Sequence, residues 1–239
     1  KLRHDPTELL ARAAQPMLWL MVFGVVFTRV HAIPTGGLRY LDFMAPGILA
    51  QSVLFISIFY GIAIIWERDL GIVHKFLVSP TPRAALVLGK ALSAGVRGLS
   101  QAVIVYVLAA LLGVEMRWEA GALLGVAAVV ILGSALFSTF SLIIACLVKT
   151  RERFMGIGQL LTMPLFFASN AIYPLSVMPS PLKVVASLNP LTYQVDALRC
   201  LMLKAGASAY GIGADLLVMA GGLSVLVLVA ARLYPRVAT

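Results

Sequence analysis

Six stretches of this chain, at about 16–33, 43–66, 91–112, 120–148, 155–173 and 213–233, stay apolar for long enough to cross a bilayer as helices, which takes roughly 20 residues each. A helix pairs its own backbone N–H and C=O groups, so it is the element that hydrocarbon permits an open chain to use. Only 12% of the 239 residues are charged and 61% are hydrophobic. That is too little charge to cover a water-facing surface, for which about 25% is usual. The expected fold class is therefore an all-α membrane protein with six transmembrane helices, residues 1–239 forming a single transmembrane domain. No short cationic leader with a small-residue cleavage site precedes the first run, so that run is expected to remain as an anchor.

The net charge of +9 sits in short links beside the apolar runs and forms no basic patch interleaved with aromatics, which excludes nucleic acid as a partner. Its meaning is topological. Lys and Arg are retained on the cytoplasmic side of short loops. With the N-terminus inside, twelve fall on the cytoplasmic side and six on the other, Arg97 lying within a span. Both termini are thus expected in the cytoplasm of a multi-pass plasma (inner) membrane protein. Cys146 and Cys200 are placed near opposite faces, so they are expected to be packing residues rather than a disulfide or a metal motif.

Between the spans lie three irregular segments. Residues 1–15 mix charge with Leu9, Leu10 and Ala13 at helical spacing, as an N-terminal interfacial helix would. Residues 67–90, ERDLGIVHKFLVSPTPRAALVLGK, combine an apolar face (Leu70, Val73, Phe76, Leu77) with Glu67, Arg68, Asp69 and Lys75, a pattern that suits either docking into a partner's groove or resting on lipid. Residues 174–207 are too apolar for a plain loop and too broken for a span. There Asn189-Pro190 is a strong helix start, since Asn caps and Pro suits the first helical position. Asp196 and Arg199 then fall three apart on one helix. Pro164, Asn170 and Pro174 interrupt the fifth apolar run, which is expected to kink or to pack against protein.

No catalytic constellation is present. His4, His31 and His74 fall in different links, with neither a zinc-binding HExxH helix nor a nucleophile elbow. Gly89-Lys90 is no phosphate loop, because Ala84 stands where the first glycine belongs and Ala91 follows the lysine. No metal or nucleotide is expected in this chain. No Asp or Glu lies centrally in a span, which speaks against an ion-driven secondary transporter, the main alternative class. No acids, His or metal ligands converge as an integral-membrane enzyme would need. Arg97, inside the third span, is expected either to snorkel to the headgroups or to line an inner vestibule.

Residues 67–90 look like the E-R-(D/E)-x-G…L…(S/T)-P…GK block of ABC-2 type permeases, the membrane subunits of ABC exporters such as daunorubicin-resistance and nodulation lipo-oligosaccharide transporters. LNPLTYQVDALR at 188–199, preceded by YPLSVMPSPL at 173–182 and the proline-containing fifth run, is similar to the same family. The resemblance covers nearly the whole chain. It departs at Ile72-Val73-His74, where the family often has Thr-x-Glu. The resemblance implies that 67–90 contains a cytoplasmic coupling helix that docks on a separate ATP-binding subunit, through Glu67, Arg68, Asp69, Gly71, Phe76 and Leu77. It implies short re-entrant helices in 174–207 at the outer mouth; Asn170, Tyr193, Asp196 and Arg199 there, together with Arg97 from its place inside a span, are the candidate substrate-path residues. Two permease copies and two ATPase subunits, which hold the ATP and Mg, would move a hydrophobic or amphipathic substrate (drug, lipid or lipid-linked glycan) outward.

Overall fold

The computed structural model describes residues 13–30, 33–72, 82–148 and 150–234. Among the described residues the main elements are helices: α1 (Ala13–Val30), α2 (Tyr40–Tyr60), α3 (Ile62–Asp69), α4 (Arg83–Leu111), α5 (Ala120–Leu147), α6 (Arg151–Phe167), α7 (Ser180–Leu188), α8 (Pro190–Met202) and α9 (Ile212–Leu233). Among the described residues, β pairing is confined to an isolated bridge between Met116 and Leu203. Five segments are long and apolar enough to cross a membrane: α1, α2 with α3, α4, α5 and α9. The interfacial helix expected over 1–15 lies, as far as residue 12, outside the described residues, and Ala13 already belongs to α1.

The central element is α2. Every residue from Tyr40 to Leu54 is buried, as a helix apolar on all sides requires, and α1, α4, α5, α6 and α8 pack around it. The outer helices divide their surfaces instead. On α4, Leu88, Leu92, Val96, Val103, Val107 and Leu111 are exposed at spacings of four and seven, which places them on one stripe that suits lipid. The opposite side carries Ala91, Ala94, Gly95, Gly98, Ala102 and Ala109, all buried. A Cβ at Gly98 would lie 2.1 Å from Ser134 Oγ of α5. Small residues let α4 and α5 approach closely, the usual packing where lipid is no less apolar than the helices.

The fifth apolar run departs from the expected span. α6 has 17 residues and stops at Phe167, after Pro164, and the chain turns at 168–172. That turn lies deep in the bundle, because Ala171 backbone abuts Gly47, about 10 Å along α2 from its start. Asn189 closes the gap. Its Oδ1 accepts the Leu191 N–H at 3.0 Å as the expected cap of α8, while Nδ2 donates to the carbonyls of Leu165 (2.7 Å) and Ala168 (3.3 Å) at the end of α6. These carbonyls would otherwise be unpaired at a helix end.

At Gly47 an added Cβ would meet Ala171 O at 2.5 Å and its Cα at 2.8 Å, backbone atoms that no rotamer change relieves. Gly47→Ala is expected to cost about 1–3 kcal/mol, the usual range for overpacking. The check is the thermal midpoint of the detergent-purified protein, with Gly89→Ala, where nothing lies within 4 Å, as the unaffected control.

The segment 67–90, expected as one piece, is divided. Residues 67–69 end α3 and residues 83–90 are the first turns of α4, with Pro82 as the N-cap residue. Pro tolerates the cap because no N–H is needed there. The elbow between them covers about 70–82, of which residues 73–81 lie outside the described residues. Phe76 and Leu77, like Val73, His74 and Lys75, lie outside the described residues.

Candidate functional site

Two polar assemblies stand out, one at each end of the bundle. At the mouth end, the links 33–39 and 168–176 and the connection after α8 enclose a cavity of about 560 Å³. Asn170, Asp196 and Arg199 line it together with Phe43, Thr35 and Ser208. Arg199, 6% exposed, donates through Nη2 to Asn170 O at 2.8 Å, and its guanidinium carbon sits 3.9 Å from the Phe43 ring centroid. Its Nη1 is 4.0 Å from Asp196 Oδ1, a loose pair. Arg199 Nε and Asn170 Oδ1 are buried without hydrogen-bond partners, and Phe43, Pro34 and Pro174 add aromatic and proline walls to the cavity.

Asp196 has the richer set of contacts. Its Oδ2 accepts Ala209 N–H at 2.7 Å and Tyr210 N–H at 3.1 Å and lies 2.7 Å from Ser208 Oγ. It therefore anchors the connection between α8 and α9. At the same end Arg39 is bidentate to Asp42 at 2.8 Å through Nε and Nη2 and bonded to Gly113 O. Asp42 in turn accepts the Glu115 N–H at 3.3 Å.

At the other end α3 is clasped on several sides. Lys90 of α4 donates to Glu67, Arg151 of α6 donates to Asp69 at 2.7 Å, and Arg68 Nη1 reaches Val148 O at 3.4 Å. Arg151 also lies over the Trp66 ring, 3.7 Å from its centroid, where cation–π attraction adds to the ion pair. Gly71, at φ +70°, turns the chain out of α3 in the left-handed conformation that glycine adopts without strain. Glu67 and Asp69 are thus engaged by Lys90 and Arg151 of the same chain, while Leu70 beside them is 69% exposed.

The structure gathers Asn170, Asp196 and Arg199 at one cavity. It does not bring Tyr193 or Arg97 there. Tyr193 packs on Tyr210, with 5.1 Å between ring centroids, and donates to Ser187 O at 2.7 Å. Arg97 is exposed halfway along α4, its guanidinium carbon 4.8 Å from the Tyr60 ring centroid, with Ser93 bonded to the same tyrosine's hydroxyl at 3.1 Å. Ser208 and Asp215 escaped the sequence reading. An acid in the first turn of a helix, where the dipole favours it, was the available signal for Asp215. Among the described residues no group of three His, Cys, Asp or Glu could hold a metal ion.

This helical membrane architecture agrees with the sequence comparisons. A protein-family model described as ABC-2 type transporter matches residues 1–203, and the chain belongs to that family. Its multi-pass helical structure is that of a membrane permease. It is 29% identical over 203 residues to a protein named as a transport permease, ycf38, of Cyanophora paradoxa, covering 84% of this chain and 70% of that one. It is 28% identical over 235 residues to the daunorubicin resistance ABC transporter permease protein DrrB1 of Streptomyces coeruleorubidus, covering 97% and 81%. Nodulation protein J of Rhizobium leguminosarum bv. trifolii is 26% identical over 202 residues, covering 82% and 74%.

Proposed function

We propose that this chain is the transmembrane subunit of an ABC exporter that moves a hydrophobic or amphipathic substrate out of the cytoplasm, with ATP and Mg held by a separate ATP-binding subunit. The observation that carries this reading is the clasp on α3. Glu67–Lys90, Arg68–Val148 and Asp69–Arg151 join the end of α3 to three helices, so a load applied at residues 70–82 reaches α4, the C-terminal end of α5 and α6 together. An elbow resting on lipid has no need of such ties. In this reading the elbow end faces the cytosol, the cavity lies at the outer mouth, and α6 with the re-entrant 168–202 segment makes the sixth, incomplete crossing. Coupling involves Glu67, Arg68, Asp69, Gly71 and, beyond the described residues, Phe76 and Leu77. Two copies of the chain pair above two ATPase subunits in the inner membrane.

An ion-driven carrier is the competing reading, because Asp42, Asp196 and Asp215 are buried. All three belong to the mouth end, however, and carriers place such groups near the midplane. Proteoliposomes containing both subunits are expected to transport only with ATP. Transport by this chain alone, driven by a proton or sodium gradient, would overturn the assignment. Arg97 is assigned to the inner part of the path. Arg97→Leu should leave assembly intact and reduce ATP-driven transport, and unchanged transport would remove Arg97 from the path.

A further inference from the structure

At the mouth end two buried carboxyl groups share one hydroxyl. Asp196 and Asp215 are 1% and 0% exposed, and Ser208 Oγ stands 2.7 Å from Asp196 Oδ2 and 3.0 Å from Asp215 Oδ2. A serine hydroxyl has a single proton and two lone pairs. One lone pair accepts the Gly211 N–H at 2.7 Å. If the proton goes to Asp196, the nearer acceptor, an ionised Asp215 would direct its own lone pairs at the remaining lone pair of Ser208. Asp215 Oδ1 has no partner either, and an uncompensated charge so buried neutralises rather than persists.

The surroundings offer Asp215 no cationic side chain, while the partial positive charge at the N-terminal end of α9 favours its anion. α5, which packs along α9, contains no ionisable side chain except Cys146 at its far end. α4 brings Tyr106 to this half, keeps Arg83 and Lys90 in the other, and carries Arg97 at its midpoint. From α8 come Asp196, Tyr193 and Arg199, whose charge is engaged with Asp196 and Asn170 O. From the connection come Tyr210 and Lys204, the latter exposed.

We propose that Asp196 and Asp215 form a binding site for a single proton, carried on Asp215 Oδ2 and donated to Ser208 Oγ, which donates onward to the Asp196 carboxylate. All three oxygens of that chain are then matched. The site has a mechanical consequence, because Asp196 and Ser208 hold the 203–211 connection, and Ala205, Ala207, Ser208 and Ala209 of that connection wall the mouth cavity. When Asp215 gives its proton to solvent, two buried anions are left with one hydroxyl between them. The connection must then lift to admit water, so the proton acts as a latch on the cavity wall. This does not depend on what the protein transports or on what drives it.

The test uses the full chain in lipid vesicles with carbonyl-labelled aspartate, titrated with pH by infrared spectroscopy. A protonated-carboxyl band is expected at neutral pH, lost on alkalinisation and absent from Asp215→Asn, whose amide N–H still donates to Ser208. In parallel, a spin label at Ala207→Cys, with Cys146→Ala and Cys200→Ala, should pass from immobile to mobile over the same pH interval. It should stay immobile throughout in Asp215→Asn. Absence of a protonated aspartate at neutral pH, its persistence in Asp215→Asn, or an equal mobility change in that variant would each overturn the proposal. Should Asp215→Asn fail to fold, the titration of the unmutated chain decides alone: no protonated aspartate sinks the latch, and its loss coincident with label mobility supports it.

Discussion

Asp196→Ala is expected to destabilise the protein by about 3–5 kcal/mol, the cost of removing one member of a buried charge pair, whereas Arg199→Met should cost only about 1–3 kcal/mol. The asymmetry comes from what each change leaves behind. Without Asp196, the Arg199 guanidinium is a buried charge with no counter-ion, and the Ala209 and Tyr210 N–H groups lose their acceptor. Without Arg199, Asp196 still accepts from both amides and from Ser208, and the losses are its loose pair with Arg199 at 4.0 Å and the arginine's contacts to Asn170 O, Phe43 O and the Phe43 ring. The measurement is the thermal midpoint of both variants in detergent. Equal shifts would mean that Asp196 is not the anchor of the connection before α9.

Glu67→Lys should lower ATP-driven transport roughly tenfold, equivalent to about 1.4 kcal/mol, while leaving the amount of folded protein unchanged. The substitution sets two cations against each other where Glu67 and Lys90 now pair, with side chains 28% and 16% exposed. Like charges at that separation push the end of α3 away from α4. The bundle is held by its apolar core elsewhere, so the loss falls on coupling rather than folding. The charge-reversed double variant Glu67→Lys/Lys90→Glu should regain most of the activity. A double variant as impaired as the single would show that Glu67 acts on a partner instead of on Lys90.

The apolar runs were legible because hydropathy is a local property, and five of the six became helices fit to cross a membrane. Their ends were less so. Arg83 to Lys90 carries a charge at each end yet forms the first turns of α4, since a helix can extend beyond hydrocarbon without penalty. Pro164 and Asn170 signalled that the fifth run breaks, but its depth against Gly47 depends on tertiary contact. Asn189 was readable as a cap; its second role, binding the carbonyls of Leu165 and Ala168, was not.

The candidate sites divide in the same way. Asp196 and Arg199 were visible as an i,i+3 pair, and Asn170 joins them only through folding. Glu67 and Asp69 had the look of free charges for a partner, because Lys90 and Arg151 stand 23 and 82 residues away in sequence. Asp215 and Ser208 carry no motif, and only the turn at Gly211 brings them to Asp196. Tyr193 was chosen from its place in a motif, and its hydroxyl is occupied by Ser187 O.

The account stands on the elbow after α3 being the surface that an ATP-binding subunit grips. Leu70 is exposed there beside Gly71, and Trp118 is exposed in the link at the opposite end. A photocrosslinking side chain introduced at each position in cells should give an adduct with the ATP-binding subunit from Leu70 and none from Trp118. Adducts from Trp118, with none from Leu70, would place the motor at the wrong end of the molecule and contradict the account.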